Sequence, residues 1–265
     1  MGLRGHLNFF IDNSYLGDTL WAVTKSRYLD FGAENRENKI FCLCTGSCGS
    51  GYITELFKSN NVPGCYHEKH PSLDHVGVDY AIRSKNRSYI KGLLYLTRHD
   101  VQFEANNRFF ALAPLLNEVF PNSKFIHLHR SAKDTLTSSM NKKSFEDFWN
   151  SKRLRYCSFL SGSPELTTFE KACWYWTNIN QRIIDDLRDL PSMELSFDDL
   201  VVGNLAELEE FTSIDFDTKK IQPVNTKQKQ KLETPKYKSY DEWPDEFKQR
   251  FDDICGSLQA KLGYS

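Results

Sequence analysis

Three glycines within six residues, Gly46, Gly49 and Gly51, stand between an apolar run and an amphipathic one. Residues this small let a backbone adopt positive φ and approach a ligand closely. A loop of this kind feeding a helix turns free N–H groups and the positive helix end toward an anion. Gly46, Ser47, Cys48, Gly49, Ser50, Gly51 and Tyr52 are therefore the candidate cradle for a phosphate. No Gly-Lys-Ser/Thr follows the glycines, which separates the loop from the Walker type. Arg130 and Ser138 form a second candidate. Arginine presents a rigid fork of donors suited to a phosphate, and the serine, eight residues on, adds a hydroxyl about two helical turns along.

These residues need elements to hold them. Ile40 to Cys44 is an unbroken apolar run, as in a parallel strand covered on both faces. Ile53, Leu56 and Phe57 recur at helical spacing, which predicts a helix over 52–59. A short strand is expected at Cys65–Glu68, then a weak helix and a strand at Gly92–Thr97. A helix follows over 104–120, capped by Asn106 or Asn107, with an apolar stripe from Phe109 to Val119. Lys124–His129 reads as a strand running into a helix at Arg130–Met140. Farther on come a helix over 169–190, a strand at Met193–Phe197, a helix over 198–211 and a last helix over 244–262. Asp18–Lys25 reads as a short helix. Strands alternating with helices predict an α/β fold, a single domain with a mostly parallel central sheet flanked by helices. Residues 39–265 are its core and 1–38 an N-terminal extension.

The totals narrow the class. A net charge of −1 gives no global basic field for nucleic acid or anionic membrane, so none is expected as a partner. No segment approaches the roughly 18 apolar residues of a membrane span, and the first residues lack a signal-peptide apolar region. Seven cysteines, an odd number without framework spacing, suggest a reducing compartment. The expectation is a soluble, cytoplasmic protein of open oligomeric state.

Read together, the two candidate units resemble the sulfotransferases that use 3′-phosphoadenosine 5′-phosphosulfate (PAPS). In that family a first strand-loop-helix, typically with Arg/Lys-Ser-Gly-Thr, holds the 5′-phosphosulfate. A later strand runs into Arg-(Asp/Asn)-Pro-x-(Asp/Ala)-x-x-x-Ser, whose Arg and Ser grip the 3′-phosphate. Here Ser50-Gly51 is similar to the core of the first motif. Phe120-Pro-Asn-Ser-Lys-Phe-Ile-His-Leu-His-Arg-Ser-Ala-Lys-Asp-Thr-Leu-Thr-Ser138 is similar to the second, and Met193-Glu-Leu-Ser-Phe-Asp-Asp-Leu and the closing Leu-Gly-Tyr continue the likeness to residue 264. The departures are Gly49 where the basic residue stands, Tyr52 for the threonine, and Ala132 for the proline.

The resemblance implies a P-loop-like nucleotide-binding core, PAPS as co-substrate with no metal, and a small-molecule, lipid or carbohydrate acceptor. Sulfuryl transfer relies on positioning and electrostatics, plus a base for the acceptor's proton. Glu68 is the candidate base by the same resemblance, with His67 and His70 as runners-up, since histidine titrates near neutrality. The missing loop cation calls for one from elsewhere: Lys69, Lys133, or the lysines at 227, 229 and 231. Lys227 and Lys229 also stand where relatives close the nucleotide site with a basic loop. A metal site from Cys65, His67 and His70 fits no standard spacing. Two alternatives stay open: a PAPS-binding protein without turnover, and a P-loop kinase, the latter disfavoured by the absent Walker lysine. Parts of 65–103 and 141–175 are expected to form the acceptor pocket. Of Trp174 and Trp176, which cannot share a helix face, one is expected in the core.

Overall fold

The computed structural model describes residues 38–69, 87–151, 162, 165–221 and 232–265. The expected extension and the helix at 18–25 therefore lie outside the described residues, apart from residue 38. Five parallel strands form one sheet in the order β2-β3-β1-β4-β5: β1 (Ile40–Cys44), β2 (Cys65–His67), β3 (Phe103–Asn106), β4 (Lys124–His129) and β5 (Ser192–Ser196). Helices α1 (Ser50–Ser59), α2 (Arg87–Arg98), α3 (Ala113–Val119), α4 (Ala132–Met140), α5 (Phe145–Trp149), α6 (Thr168–Leu187), α7 (Phe197–Val202), α8 (Ala206–Thr212) and α9 (Asp245–Lys261) surround it.

The pleat of β1 divides the core. Phe41 and Leu43 face one apolar cluster, with α2, α3, α4, α6 and α9, whereas Cys42 and Cys44 face another, with α1, α7 and α8. The chain leaves β1 toward β2 on one side and later builds β4 and β5 on the other. The sheet therefore changes direction at β1, and open α/β sheets bind ligands at the carboxyl end of such a switch. Helix α6 is the longest and begins in a capping box, Thr167 with Glu170.

Three segments depart from the sequence reading. Gly92–Thr97 lies inside helix α2, because Ile90, Leu94, Thr97 and Arg98 bury one helical face against the core. Glu104–Asn106, expected in a helix, is strand β3, and the helix starts only at Ala113 with Leu112 as its cap residue, so neither Asn106 nor Asn107 caps it. Buried Glu104 disguised the strand, and its charge is met by buried Arg98, Nε to Oε2 at 3.0 Å. The helix expected over 198–211 is broken at Gly203, whose φ of 81° ends α7.

Candidate active site

At the end of β1 the chain turns through Thr45–Gly49. Gly49 has φ 99°, and a Cβ there would stand 2.1 Å from Cδ2 of Phe197, so only glycine fits. Helix α1 begins at the next residue, with the Tyr52 and Ile53 N–H groups donating to the Gly49 carbonyl. The loop is thus two residues shorter than expected, and Ser50, Gly51 and Tyr52 form the first turn of the helix. The Cys48 thiol donates to the Thr45 carbonyl at 2.8 Å, and Ser50 Oγ shares a 2.9 Å hydrogen bond with His67 Nε2.

At the end of β4, Arg130 lays its guanidinium 4.9 Å from the centre of the Phe197 ring, with Nη2 3.7 Å from Asp134 Oδ2. Its Nε is buried without a hydrogen-bond partner among the described residues. Ser138 is half-buried on α4. Because β1 and β4 are adjacent, with Cys44 opposite Leu128, the glycine turn and Arg130 leave the same edge of the sheet. Phe197, the first residue of α7, joins them: its ring covers Gly49, stacks under Arg130 and meets Tyr52 edge-on at 6.3 Å.

Beyond β2, Glu68 adopts a left-handed backbone, φ 49°, which costs about 1–3 kcal/mol for a residue with a Cβ. The surrounding bonds hold it. The Glu68 N–H donates to Ala105 O, the Lys69 N–H to Glu104 Oε1, and Arg98 Nη2 to Lys69 O. Asn106 Nδ2 adds a bond to Glu104 Oε1 at 2.8 Å. The Glu68 carboxylate lies 3.9 Å from Arg108 Nη1. His67, tied to Ser50, stands beside the glycine turn; His70, Lys227, Lys229 and Lys231 lie outside the described residues.

A cavity of about 220 Å³ opens over the turn. Thr45, Gly46, Ser47 and Asn107 line one side, Thr135, Ser139 and Lys142 another, and Phe145, Phe148, Trp149, Tyr175 and Trp176 the aromatic remainder. Three of its polar atoms, Thr45 Oγ1, Thr135 Oγ1 and Asn107 Oδ1, are buried with no partner among the described residues. Such groups are costly to leave unpaired, so the cavity is a candidate place for a polar ligand. Burial pushes the Tyr175 hydroxyl well above the usual phenol range; the nearby thiols of Cys44 and Cys48 add to this, Arg108 opposes it, and Glu68 adds a smaller push. Trp176 both fills the core and lines the cavity, its Nε1 donating to Arg130 O at 3.3 Å.

The two described cations among those proposed from sequence are engaged elsewhere. Lys69 pairs with Asp100 and lies over the Tyr66 ring, while Lys133 donates to Ser265 O and lies over Tyr240. Instead, Lys142 reaches the glycine turn, Nζ donating to Ser47 Oγ at 2.5 Å. Sequence reasoning missed Lys142, Asn107, Thr135 and Phe197. Of these, only Phe197 carried a signal, as the last residue of the strand expected at Met193–Phe197.

His127 and His129 support the edge from below. His127 Nε2 meets Asn180 Oδ1 at 2.9 Å, and burial brings its pKa down to about 3. His129 Nδ1 bonds the Tyr264 hydroxyl at 2.9 Å, and burial lowers its pKa to about 4. Tyr264 OH also donates to His129 O, so the closing Leu-Gly-Tyr is docked on β4.

Among the described residues no group of three His, Cys, Asp or Glu side chains is arranged to hold a metal, and no helix is long and apolar enough to cross a membrane. The six described cysteines are free thiols. No family model matches the chain, and no curated protein does. Solved structures do. A mouse sulfotransferase, SULT7A1, complexed with PAP aligns at a TM-score of 0.52 and 12% identity, over 92% of this chain and 95% of that one. A sulfotransferase domain from the curacin biosynthetic pathway aligns at 0.49 and 14% identity, over 88% of this chain and 99% of that one. A third, from the olefin synthase of Synechococcus PCC 7002, aligns at 0.47 and 17%, over 87% and 96%. This chain has the sulfotransferase fold.

Proposed function

We propose that this protein transfers a sulfuryl group from PAPS to a hydroxyl or amine of a small-molecule, lipid or carbohydrate acceptor. The observation that carries the reading is the meeting of the glycine turn and Arg130 under one ring, Phe197, on a single sheet edge. The residues present fit a doubly phosphorylated adenosine. Arg130, whose Nε has no partner among the described residues, and Ser138 would hold the 3′-phosphate. The turn and the first N–H groups of α1 would hold the 5′-phosphate, and Tyr52 and Phe197 offer an apolar surface to the purine. PAPS supplies the sulfuryl group itself. Glu68, held in its strained conformation beyond β2, would take the acceptor's proton, with His67 beside it bonded to Ser50.

Thermal-shift measurements with adenosine 3′,5′-bisphosphate against AMP, ADP and ATP test the cofactor class. A ligand that binds only the folded state raises the melting point by mass action. Stabilisation by the bisphosphate in preference to the other three is expected; equal or greater stabilisation by ATP would refute the reading. A second reading, a nucleotide-binding protein without turnover, draws on one observation: Thr45–Tyr52 contains no charged side chain. Release of bisphosphate from PAPS separates the two.

A further inference from the structure

The catalytic difficulty in the glycine turn is electrostatic. When the sulfur–oxygen bond to the 5′-phosphate breaks, the leaving oxygen gains negative charge, and a cation there is worth more than one that binds equally well before and after. The turn itself carries none. Its geometry also shows where one would stand. Gly49, left-handed and under Phe197, is the glycine that no other residue can replace, and Ser50 opens the helix directly after it. The Ser-Gly of the resemblance therefore falls on Cys48-Gly49 rather than on Ser50-Gly51. Two consequences follow. Gly49 could never have borne a basic side chain, and the vacant basic position is Ser47.

Ser47 is the residue that Lys142 touches, Nζ to Oγ at 2.5 Å. We infer that Lys142, supplied by the turn after α4, is the cation that neutralises the leaving 5′-phosphate oxygen, in place of a basic residue in the loop; this rests on the sulfotransferase reading. Lys142 is firmly mounted. The Asn141 side chain accepts from the Lys236 and Tyr237 N–H groups and donates to Tyr237 O, and its carbonyl accepts from the Leu232 N–H. The Lys142 N–H donates to Ser139 O, and its carbonyl accepts from Phe145 N. With its backbone fixed and its Nζ already on Ser47, the ammonium needs little reorganisation during reaction. The other described cations near the turn face different work: Arg130 stacks on Phe197 at the neighbouring strand end, and Arg108 faces Glu68.

In the step, the acceptor oxygen forms a bond to sulfur while the bond from sulfur to the bridging phosphate oxygen breaks. The bonding pair stays on that oxygen, the acceptor's proton passes to Glu68, and Lys142 remains protonated throughout. Its ammonium offsets the new charge on the phosphate.

The test uses the full chain and four proteins: wild type, Lys142→Met, Lys142→Arg, and Ser47→Lys combined with Lys142→Met, which returns the charge to the loop. The first readout needs no acceptor and no turnover. The 5′-phosphate of bound adenosine 3′,5′-bisphosphate is titrated by phosphorus NMR, its second ionisation lying ordinarily near pH ~6. A neighbouring ammonium favours the dianion, so in the wild type this pKa is lowered, and in Lys142→Met it rises by about one unit while the 3′-phosphate signal stays in place. The second readout is PAPS hydrolysis to the bisphosphate, expected to fall about 100-fold in Lys142→Met. It should recover substantially in Lys142→Arg and in the double variant. Retained bisphosphate binding with an unmoved 5′-phosphate pKa would overturn the role of Lys142 and leave the sulfotransferase reading standing. No binding of the bisphosphate by the wild type would overturn both.

Discussion

The carboxyl ends of β1 and β4 lie side by side yet offer an anion different groups. At β1 the offering is backbone: a turn of small residues, a left-handed Gly49 and the start of α1. At β4 it is side chain: the guanidinium of Arg130, fixed against Phe197, and the hydroxyl of Ser138 farther along α4. A backbone cradle constrains shape strictly and the remaining side chains loosely, since N–H groups come with every residue except proline. A side-chain grip does the reverse. On the proposed reading, that difference would let the β1 turn do without a basic residue of its own, served by a lysine from another element 95 positions along the sequence.

Breaking the buttress beside the β1 turn should cost most. Glu104→Gln leaves the buried Arg98 charge uncompensated, and a loss of about 3–5 kcal/mol is expected by chemical denaturation. If instead the variant is within error of wild type, the clamp on Glu68 does not depend on that pair. Within the turn itself, Gly49→Ala combines backbone strain with a clash on Phe197, for about 2–4 kcal/mol and loss of bisphosphate binding. Gly46→Ala, whose new Cβ would meet only Asn107 Nδ2 at 3.6 Å, should be mild. Equal effects from the two glycines would undo the claim that shape is concentrated at Gly49.

At the β4 end, Arg130→Met should weaken adenosine 3′,5′-bisphosphate binding by about 1.5–3 kcal/mol, some 10- to 150-fold, and leave AMP affinity little changed. Calorimetric titration with both nucleotides decides it, and an equal loss for AMP would move Arg130 away from the 3′-phosphate.

A further effect separates the strands by pH. His127 and His129 in β4 have folded pKa values of about 3 and about 4, below the ordinary 6.5. Below pH 6.5 the unfolded chain therefore gains protons that the folded chain refuses. Their contribution is complete above 6.5 and is lost as pH falls toward 4, with a slope of up to about 1.4 kcal/mol per pH unit for each histidine. The cysteines of β1, whose pKa values burial raises, stay neutral throughout this range. A double His127→Gln, His129→Gln variant should show a flatter melting curve against pH between 6.5 and 4. A slope equal to that of the wild type would place the acid sensitivity elsewhere.

The legible parts of the molecule were those in which local pattern and burial agree. β1 and β4 are continuous apolar or half-apolar runs ending in glycines and in arginine, and α6 and α9 repeat apolar residues at helical spacing. β3 was illegible because its polar residues, Glu104 and Asn106, are buried and satisfied by Arg98 and by each other, a compensation that arrives from another element. Gly92–Thr97 misled in the opposite sense: a run of apolar residues suits a strand until the wider spacing from Ile90 to Arg98 is laid on a helix. The loop boundary slipped for a similar reason. Any of three glycines could turn the chain, and only the Phe197 ring, almost 150 residues on, selects Gly49.

From its sequence alone, this protein was bound to have an α/β core with one strand feeding a glycine turn and another feeding an arginine, because neighbouring residues set strand, turn and helix patterns. Tertiary structure decided the rest: that these two ends are adjacent, that one aromatic ring spans them, and that Lys142 rests on Ser47. Those contacts depend on strand order and on how distant segments pack, and no local periodicity encodes either.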